Sequence, residues 1–444
     1  MDTGFATQLL DAARRAGAEQ AEVFLKSATN LSIEAKHQAI ETLEKSTTSG
    51  YCLRVIRDGR LGFSYATEPA AWQRVVELAV EASRHAEPDD YNGLASTSGY
   101  ADVAVYDDAI AMLPETDAIR AALMIEKAAR DRDPRITKIR KAASSFTTAE
   151  TRILSSLGID VAYRATACSA QIMAVAEQQS ESQMGWDYQG SRFLRDIDFV
   201  AVGRKAADRA LSLLGAEKIA SLKGSIVLEH SVAAEFLGIL SSALLSESVQ
   251  KKKSMFAGRL GQQVIAERLR IVDSGLIPGR LGSRPFDDEG VAMAEKTLID
   301  HGTLKGFLYN TYTARKDGVV STGNAVRGGF KGMPSVGPSN LFLDAVSDAD
   351  REKADSLMEH IDKGMVVNET MGMHTANPIS GEFSVGVSGL WVEGGKVVRP
   401  AKEAVISGNI LDLFKNVALV GDDLIFYGNI GAPSLLIEGI DISG

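Results

Sequence analysis

The spacing of hydrophobic residues changes along the chain from a helical period to the alternation that is typical of strands. Apolar residues at helical spacing predict a helix over 5–16. Runs of β-forming residues from 21 to 66 predict strands, with Asp58-Gly59 as a two-residue hairpin turn. A helical stripe returns over 69–85. We therefore predict a first α+β domain at residues 1–86.

The next part of the chain begins with turn residues and then repeats the mixture of helix and strand. Residues 87–113 show no sustained period, which predicts a linker. A helix is expected over 116–131, alternating strands over 138–189 and a closing helix over 197–214. These elements predict a middle α+β domain at residues 114–218.

The remainder, residues 219–444, is dominated by strand patterns. A buried strand is expected at 224–228, followed by a helix over 230–250 whose apolar residues recur every four positions. Strands prevail from residue 270 onwards, with one helix expected over 348–363. The chain is thus predicted to be α+β, with two mixed domains built on antiparallel strands and a β-rich C-terminal domain.

The stretch from 278 to 324 combines turn residues with short apolar runs, which predicts a core of β-hairpins. Its acids Asp287, Asp288 and Glu289 are expected to be solvated turn residues, because three consecutive side chains rarely converge on one cation. The glycine-rich segment 323–332 lacks the residue order of a phosphate-binding loop. A flexible loop is therefore expected there.

Composition and charge narrow the function classes. The 444 residues are 45% hydrophobic and 24% charged, as in ordinary globular proteins. A net charge of −10 disfavours nucleic acid and anionic membranes as partners, despite the basic run 251–253. No secretory signal pattern and no membrane-length apolar run is recognised, so a cytoplasmic protein is expected. Cys52 and Cys168 are expected to be buried, without a disulfide.

Three long segments resemble the TldD/PmbA family, also called modulator of DNA gyrase proteins. They are IPGRLGSRPFDDEGVAMAEKTLIDHGTLKGFLYNTYTARKDGVVSTGNA (277–325), NPISGEFSVGVSGLWVEGGKV (377–397) and AVISGNILDLFKNVALVGDDL (404–424). The resemblance implies an α+β first domain, a middle domain and a β-rich last domain. It also implies two-subunit cytoplasmic peptidase complexes that degrade or trim unfolded and small peptides.

The resemblance also shows where metal chemistry would be expected. The catalytic TldD branch has a His-Glu-x-x-x-His motif and a cysteine near the C-terminus, which together hold a metal ion with an open position. Here Glu229, His230 and Ala234 stand at the motif positions, and the matching segment 426–439 contains no cysteine. The resemblance therefore implies a PmbA/TldE-like subunit without a metal site, a cofactor or catalytic residues of its own.

Two classes of function remain open at this point. The first is a noncatalytic partner of a TldD-like chain, which forms a homodimer in isolation. The second is an independent peptidase that uses an unrecognised site. Its candidates are a relic centre at His230 and Glu235, or a serine nucleophile with His374 as base. The serines considered are Ser384, Ser388 and Ser407.

Overall fold

The computed structural model describes residues 3–96 and 99–444, so positions 97 and 98 of the predicted linker lie outside the described residues. The helices confirm the predicted ones at 5–16, 69–85, 116–131 and 197–214 to within a few residues. The predicted helix 230–250 is divided in two by a short 3₁₀ turn. The helices are α1 (Thr3–Arg15), α2 (Trp72–His85), α3 (Asp108–Ala111), α4 (Glu115–Arg130), α5 (Phe199–Ser212), α6 (His230–Ser241), α7 (Ser246–Gln250), α8 (Thr311–Asp317) and α9 (Ile410–Lys415).

The first six strands form one antiparallel sheet in the order β3-β2-β1-β4-β5-β6. They are β1 (Gln20–Lys36), β2 (Ala39–Arg57), β3 (Arg60–Ala66), β4 (Ile136–Ser155), β5 (Asp160–Gln178) and β6 (Glu181–Ser191). Asp58 and Gly59 both have positive φ, which confirms the predicted hairpin turn. Because β1 pairs with both β2 and β4, the first and middle segments share this sheet. Their boundaries at 86 and 114 stay a prediction.

Helices cover one face of this sheet. Helices α4 and α5 pack on β4 and β5 through buried residues such as Ile125, Ile172 and Ala206. The carboxylate of Glu126, on α4, accepts hydrogen bonds from the backbone N–H groups of His37 and Gln38 in the β1–β2 turn. The long β1–β2 ribbon is thereby fixed to the helical layer.

The strands from residue 222 onwards form two larger sheets and a small two-stranded pair. The first larger sheet has the order β10-β9-β8-β13-β20-β19. The second has the order β14-β18-β21-β17-β16-β15-β7, and β21 also pairs with β7. The strands are β7 (Leu222–Leu228), β8 (Leu269–Ser274), β9 (Glu295–Asp300), β10 (Thr303–Leu304), β11 (Ala325–Val326), β12 (Ser335–Val336), β13 (Leu341–Ala345), β14 (Arg351–Glu352), β15 (Lys363–Met371), β16 (Glu382–Glu393), β17 (Lys396–Asn409), β18 (Val417–Gly421), β19 (Ile425–Tyr427), β20 (Ile430–Ala432) and β21 (Leu435–Ser443).

The pairing of β21 with β7 closes β7, β15, β16, β17 and β21 into a ring. Helix α6 packs against this ring of strands, where the aromatic rings of Phe236 and Phe383 meet edge to face with their centroids 5.0 Å apart. Both residues belong to the largest buried hydrophobic cluster of the chain. The predicted α+β fold with a β-rich C-terminal region is confirmed.

Two expected elements of this region are wrong. The stretch 278–324 contains the hairpin of β9 and β10, but its later part forms helix α8 instead of a strand. Asn310 and Thr313 make a capping box that begins this helix. The helix expected over 348–363 is replaced by 3₁₀ turns around β14, because Arg351 and Glu352 pair with β18.

The acids expected in a solvated turn are buried instead, which corrects the sequence interpretation. Asp287, Asp288 and Glu289 are at most 4% exposed. Glu289 receives a hydrogen bond from Arg54 of the first sheet at 2.8 Å. Arg54 also binds Glu22 at 2.7 Å. A buried ion network therefore joins the first sheet to the C-terminal region.

The glycine-rich segment 323–332 contributes to the same network, so its interpretation as a flexible loop is wrong for its central residues. Arg327 has a fully buried side chain that binds Glu22, and its backbone N–H donates to Asp288 at 2.7 Å. Phe330 is 2% exposed and packs in a cluster with Phe24 and Cys52. These contacts hold the segment against the first sheet.

None of the helices within 3–96 and 99–444 combines the length and apolar character needed to cross a membrane.

Candidate functional site

The residues predicted to stand at the family's metal-motif positions lie where β7 ends and α6 begins. Glu229 precedes the helix in extended conformation, and His230 is its first residue. Ala234 follows one helical turn later, on the same face as His230, and offers only a methyl group. His230 and Ala234 are 5% and 4% exposed. The predicted start of a helix at residue 230 is confirmed, and His230 lies in the protein interior.

Both ring nitrogens of His230 contact protein groups. The hydroxyl of Tyr427, from β19, lies 2.9 Å from Nδ1. Lys205 Nζ, from α5, lies 3.1 Å from Nε2. An ammonium group only donates hydrogen bonds, so Nε2 accepts, and the proton of a neutral ring lies on Nδ1 and is donated to Tyr427. The imidazole therefore has no lone pair left for another ligand.

Glu229 is held by two cations from α5. Its Oε1 accepts a hydrogen bond from Arg209 and lies 3.9 Å from Lys205 Nζ. Arg209 also lies over the ring of Trp186, on β6, at 5.1 Å from the ring centre. Helix α5, strand β6 and helix α6 are thus joined by one group of charged and aromatic side chains. We call Lys205, Arg209, Glu229, His230 and Tyr427 the α6 cluster.

More carboxylates surround this cluster. Glu235 accepts a hydrogen bond from Thr370, and burial raises the pKa of its carboxyl group. Burial also raises the pKa of Glu369 on β15. Asp187 on β6 is 3% exposed. The carboxylates around the α6 cluster therefore outnumber its two cations, Lys205 and Arg209.

Burial and charge set the protonation of two of these groups. Burial lowers the pKa of His230 to about 3, and the neighbouring cations Lys205 and Arg209 lower it further in the same direction. Burial raises the pKa of Asp187 to about 6, although Lys205 and Arg209 oppose this shift. His230 is accordingly neutral at physiological pH. It is suited to structural hydrogen bonding rather than to proton transfer near pH 7.

Sequence reasoning missed four residues of this site, namely Asp187, Lys205, Arg209 and Tyr427. The first three belong to the middle segment and lie at least 20 positions before Glu229, so no local motif connects them. Tyr427 lies inside the segment 426–439 that was compared with the family's cysteine region. The tyrosine in that segment is the one sequence signal that points to this position.

The serine candidates do not assemble into a catalytic group. Ser384 and Ser407 face each other across β16 and β17 as strand neighbours. Ser388 is 9% exposed on β16. His374 is exposed in a short 3₁₀ turn, and none of the hydrogen bonds found among the described residues joins it to a serine. A nucleophile and its base need such contact.

The fold and this site define a class of protein. The chain matches, over residues 221–444, the model of the PmbA/TldA metallopeptidase C-terminal domain. Residues 108–214 match the central domain of that family and residues 21–83 match its domain 1. The chain belongs to the PmbA/TldD metallopeptidase family.

Individual relatives agree with this assignment. The chain is 29% identical over 429 residues to "Metalloprotease PmbA" of Escherichia coli O157:H7, covering 96% of this chain and 92% of the relative. It resembles the crystal structure of a putative modulator of DNA gyrase from Thermotoga maritima, with a TM-score of 0.92, 28% identity and 99% of each chain covered. TldE from Thermococcus kodakarensis has the same fold, with a TM-score of 0.89, 21% identity and coverage of 99% of this chain and 100% of that one.

The family name implies a metal ion, but the residues at this position do not fit one. A zinc ligand needs a free lone pair, whereas Nε2 of His230 faces the Lys205 ammonium and Oε1 of Glu229 faces Arg209. Ala234 supplies no ligand atom. Within the described part of the chain, no group of three or more His, Cys, Asp or Glu side chains is placed to hold a metal ion.

Proposed function

We propose that this chain is the noncatalytic, PmbA/TldE-like subunit of a peptidase complex whose TldD-like partner carries out the chemistry. The observation that carries the proposal is the state of the α6 cluster. Lys205 and Arg209 satisfy His230 and Glu229, so neither of these two residues has a lone pair free for a metal ion. The family membership supports the link to peptidases.

The role proposed for this chain is to complete an enclosure and to hold extended, unfolded or small peptides for the partner. Binding of this kind needs only exposed backbone and shallow pockets. Binding a peptide equally well in its ground state and its transition state gives no rate enhancement. The chemical step is therefore assigned to the TldD-like partner. We further propose that the chain is cytoplasmic, forms a homodimer in isolation and prefers a TldD-like chain when one is present.

The test is degradation of an unstructured peptide by this chain alone, by a TldD-like chain alone and by their mixture. We expect no turnover from this chain alone, and higher turnover from the mixture than from the TldD-like chain by itself. A chelator should abolish the activity of the mixture. Size-exclusion chromatography with light scattering should show whether the two chains coelute.

The Lys205→Met variant is the matched control for a hidden site, because it removes the ammonium while keeping much of the side-chain volume. It should leave the lone chain inactive. Chelator-insensitive cleavage by the purified wild-type chain, constant in specific activity through successive columns, would replace the proposal with an independent peptidase.

A further inference from the structure

A cavity of about 370 Å³ lies beside the α6 cluster, on one face of the closed ring of strands. Its floor is apolar. Val227 on β7, Val366 on β15 and Leu390 on β16 are register neighbours, so their side chains share this face. Met358, from the 3₁₀ turn at Ala354–His360, also lines the cavity. The floor therefore suits a short aliphatic chain.

The polar part of the lining consists mainly of oxygen acceptors. Asp355 and Asp423 contribute carboxylates, and the Asn368 carboxamide oxygen is buried without a hydrogen-bond partner among the described residues. Ser434 supplies no free donor, because its hydroxyl donates to Asp423 at 2.7 Å. The lining residues found in the described part of the chain include neither lysine nor arginine.

The neighbouring α6 cluster does not cancel this acidic character. Glu229 also lines the cavity, and Arg209 is already engaged with it. The hydrogen bonds of His230 are directed to Lys205 and Tyr427. An occupant that brings hydrogen-bond donors and a positive charge would complement the remaining acceptors, whereas an anion would be repelled.

We propose that this cavity binds a primary ammonium group carried on an aliphatic stem. The stem would lie on Val227, Val366 and Leu390, and the ammonium would meet the oxygens of Asp355, Asp423 and Asn368. The volume is in the range of small-ligand pockets. A lysine side chain and the amino end of a peptide both carry this chemistry, so the experiment must distinguish them.

The inference rests on the proposed function in one respect only, namely that the cavity would serve as a subsite for the amino end or a basic residue of a peptide. The binding itself is measured on this chain without any partner or peptidase activity. Failure of the mixing experiment therefore leaves the cavity proposal standing. Failure to bind amines leaves the noncatalytic role standing.

The first experiment compares n-pentylammonium with 1-pentanol, which has a similar shape but no charge, by saturation-transfer NMR and competition titration. We expect the ammonium to bind at least about tenfold more tightly, since a charged hydrogen bond is roughly twice as strong as a neutral one and several acceptors converge here. Equal binding of the two probes would overturn the proposal, because it would show that only the apolar floor contributes.

The second experiment uses matched variants. Asp355→Asn should weaken pentylammonium binding by roughly two- to fivefold, because Asp355 lies at the exposed mouth where ion pairs are modest. Asp362→Asn removes the same charge from an exposed position that does not line the cavity, and should leave binding unchanged. Equal losses in the two Asp→Asn variants would refute a specific site.

The third experiment identifies the source of the amine. Nα-acetyl-lysine amide presents only the side-chain ammonium, and norleucine amide presents only the α-amino group. Stronger displacement of pentylammonium by the first would assign the cavity to lysine side chains. Stronger displacement by the second would assign it to peptide amino ends. Displacement by neither compound would refute a peptide-derived ligand.

Discussion

Replacing Glu22 by glutamine should destabilise the protein more than any exposed charge substitution in the same sheet. Glu22 is 1% exposed and binds two arginines, Arg54 at 2.7 Å and Arg327 through its other oxygen. Glutamine has the same shape, but it removes the charge and turns an NH₂ donor towards an arginine. Both guanidinium groups would then be left in the interior with less negative charge beside them.

The size of the effect follows from the partners that remain. Removal of one member of a buried ion pair costs about 3–5 kcal/mol. Arg54 keeps Glu289 at 2.8 Å, so we expect the lower part of this range, about 3 kcal/mol. Glu41→Gln is the matched control, because Glu41 pairs with Lys36 at the surface, where the two side chains are 40% and 43% exposed. Its cost should be about 0–1 kcal/mol.

The assay is equilibrium unfolding in urea, followed by circular dichroism and by tryptophan fluorescence. Agreement of the two probes is needed before a single free energy of unfolding is assigned to a chain of this size. We expect the Glu22→Gln midpoint to fall well below those of the wild type and of Glu41→Gln. Equal midpoints for the two variants would refute the conclusion that the buried network stabilises the contact between the first sheet and the C-terminal region.

Three further predictions concern buried groups. Burial and the neighbouring charge of Glu289 raise the pKa of Asp287 from 3.8 to about 7. The protonated Asp287 therefore contributes its full share to the free energy of unfolding below pH 4, and this contribution is lost as the pH rises to 7. The stability difference between Asp287→Asn and wild type should therefore shift towards the variant, by on the order of a few kcal/mol, between pH 4 and 7; a constant difference in pH-dependent urea titrations would contradict this. Burial raises the pKa of Cys52 to about 11 and of Cys168 to about 12, so neither thiol should react with a disulfide reagent at pH 8 until the protein unfolds; rapid native labelling would disprove it. Tyr427→Phe leaves the buried Nδ1–H of His230 without its acceptor and should cost about 1–3 kcal/mol, measured by denaturant unfolding; a loss below about 0.5 kcal/mol would show that the hydrogen bond is not formed.

The local sequence pattern was sufficient to predict an element where residues close together in the chain determine its structure. The Asp58-Gly59 turn was predictable because both residues tolerate positive φ and the flanking strands alternate. The first helices were predictable from apolar spacing. Helix α8 was missed because its threonines and tyrosine favour strands, whereas the Asn310–Thr313 capping box decides the outcome. The spacing of Asn310 and Thr313, three positions apart, is present in the sequence and could have indicated the start of a helix.

Long-range contacts could not be read in this way. Asp287 and Glu289 look like solvated turn residues in the sequence. Glu289 is buried against Arg54, more than 230 positions earlier, and Asp287 accepts a hydrogen bond from the backbone N–H of Ala325, 38 positions later. The α6 cluster shows the same limit, because Lys205 and Arg209 come from another part of the chain. The assignment of Glu229 to a replaced motif position stays a prediction from the sequence. The contacts of Lys205 with His230 and of Arg209 with Glu229 appear only in the folded chain.

The closed ring of strands also constrains how the chain is made. Strand β7 pairs with β21, and Leu228 and Leu435 are more than 200 positions apart. During synthesis at about 5–20 residues per second, β7 therefore waits for at least about 10 seconds before this neighbour exists. Its edge is unpaired on that side throughout the interval, and such edges promote association with other chains. Conditions that slow translation or deplete chaperones should thus lower the soluble yield of this protein more than that of a chain built from local contacts.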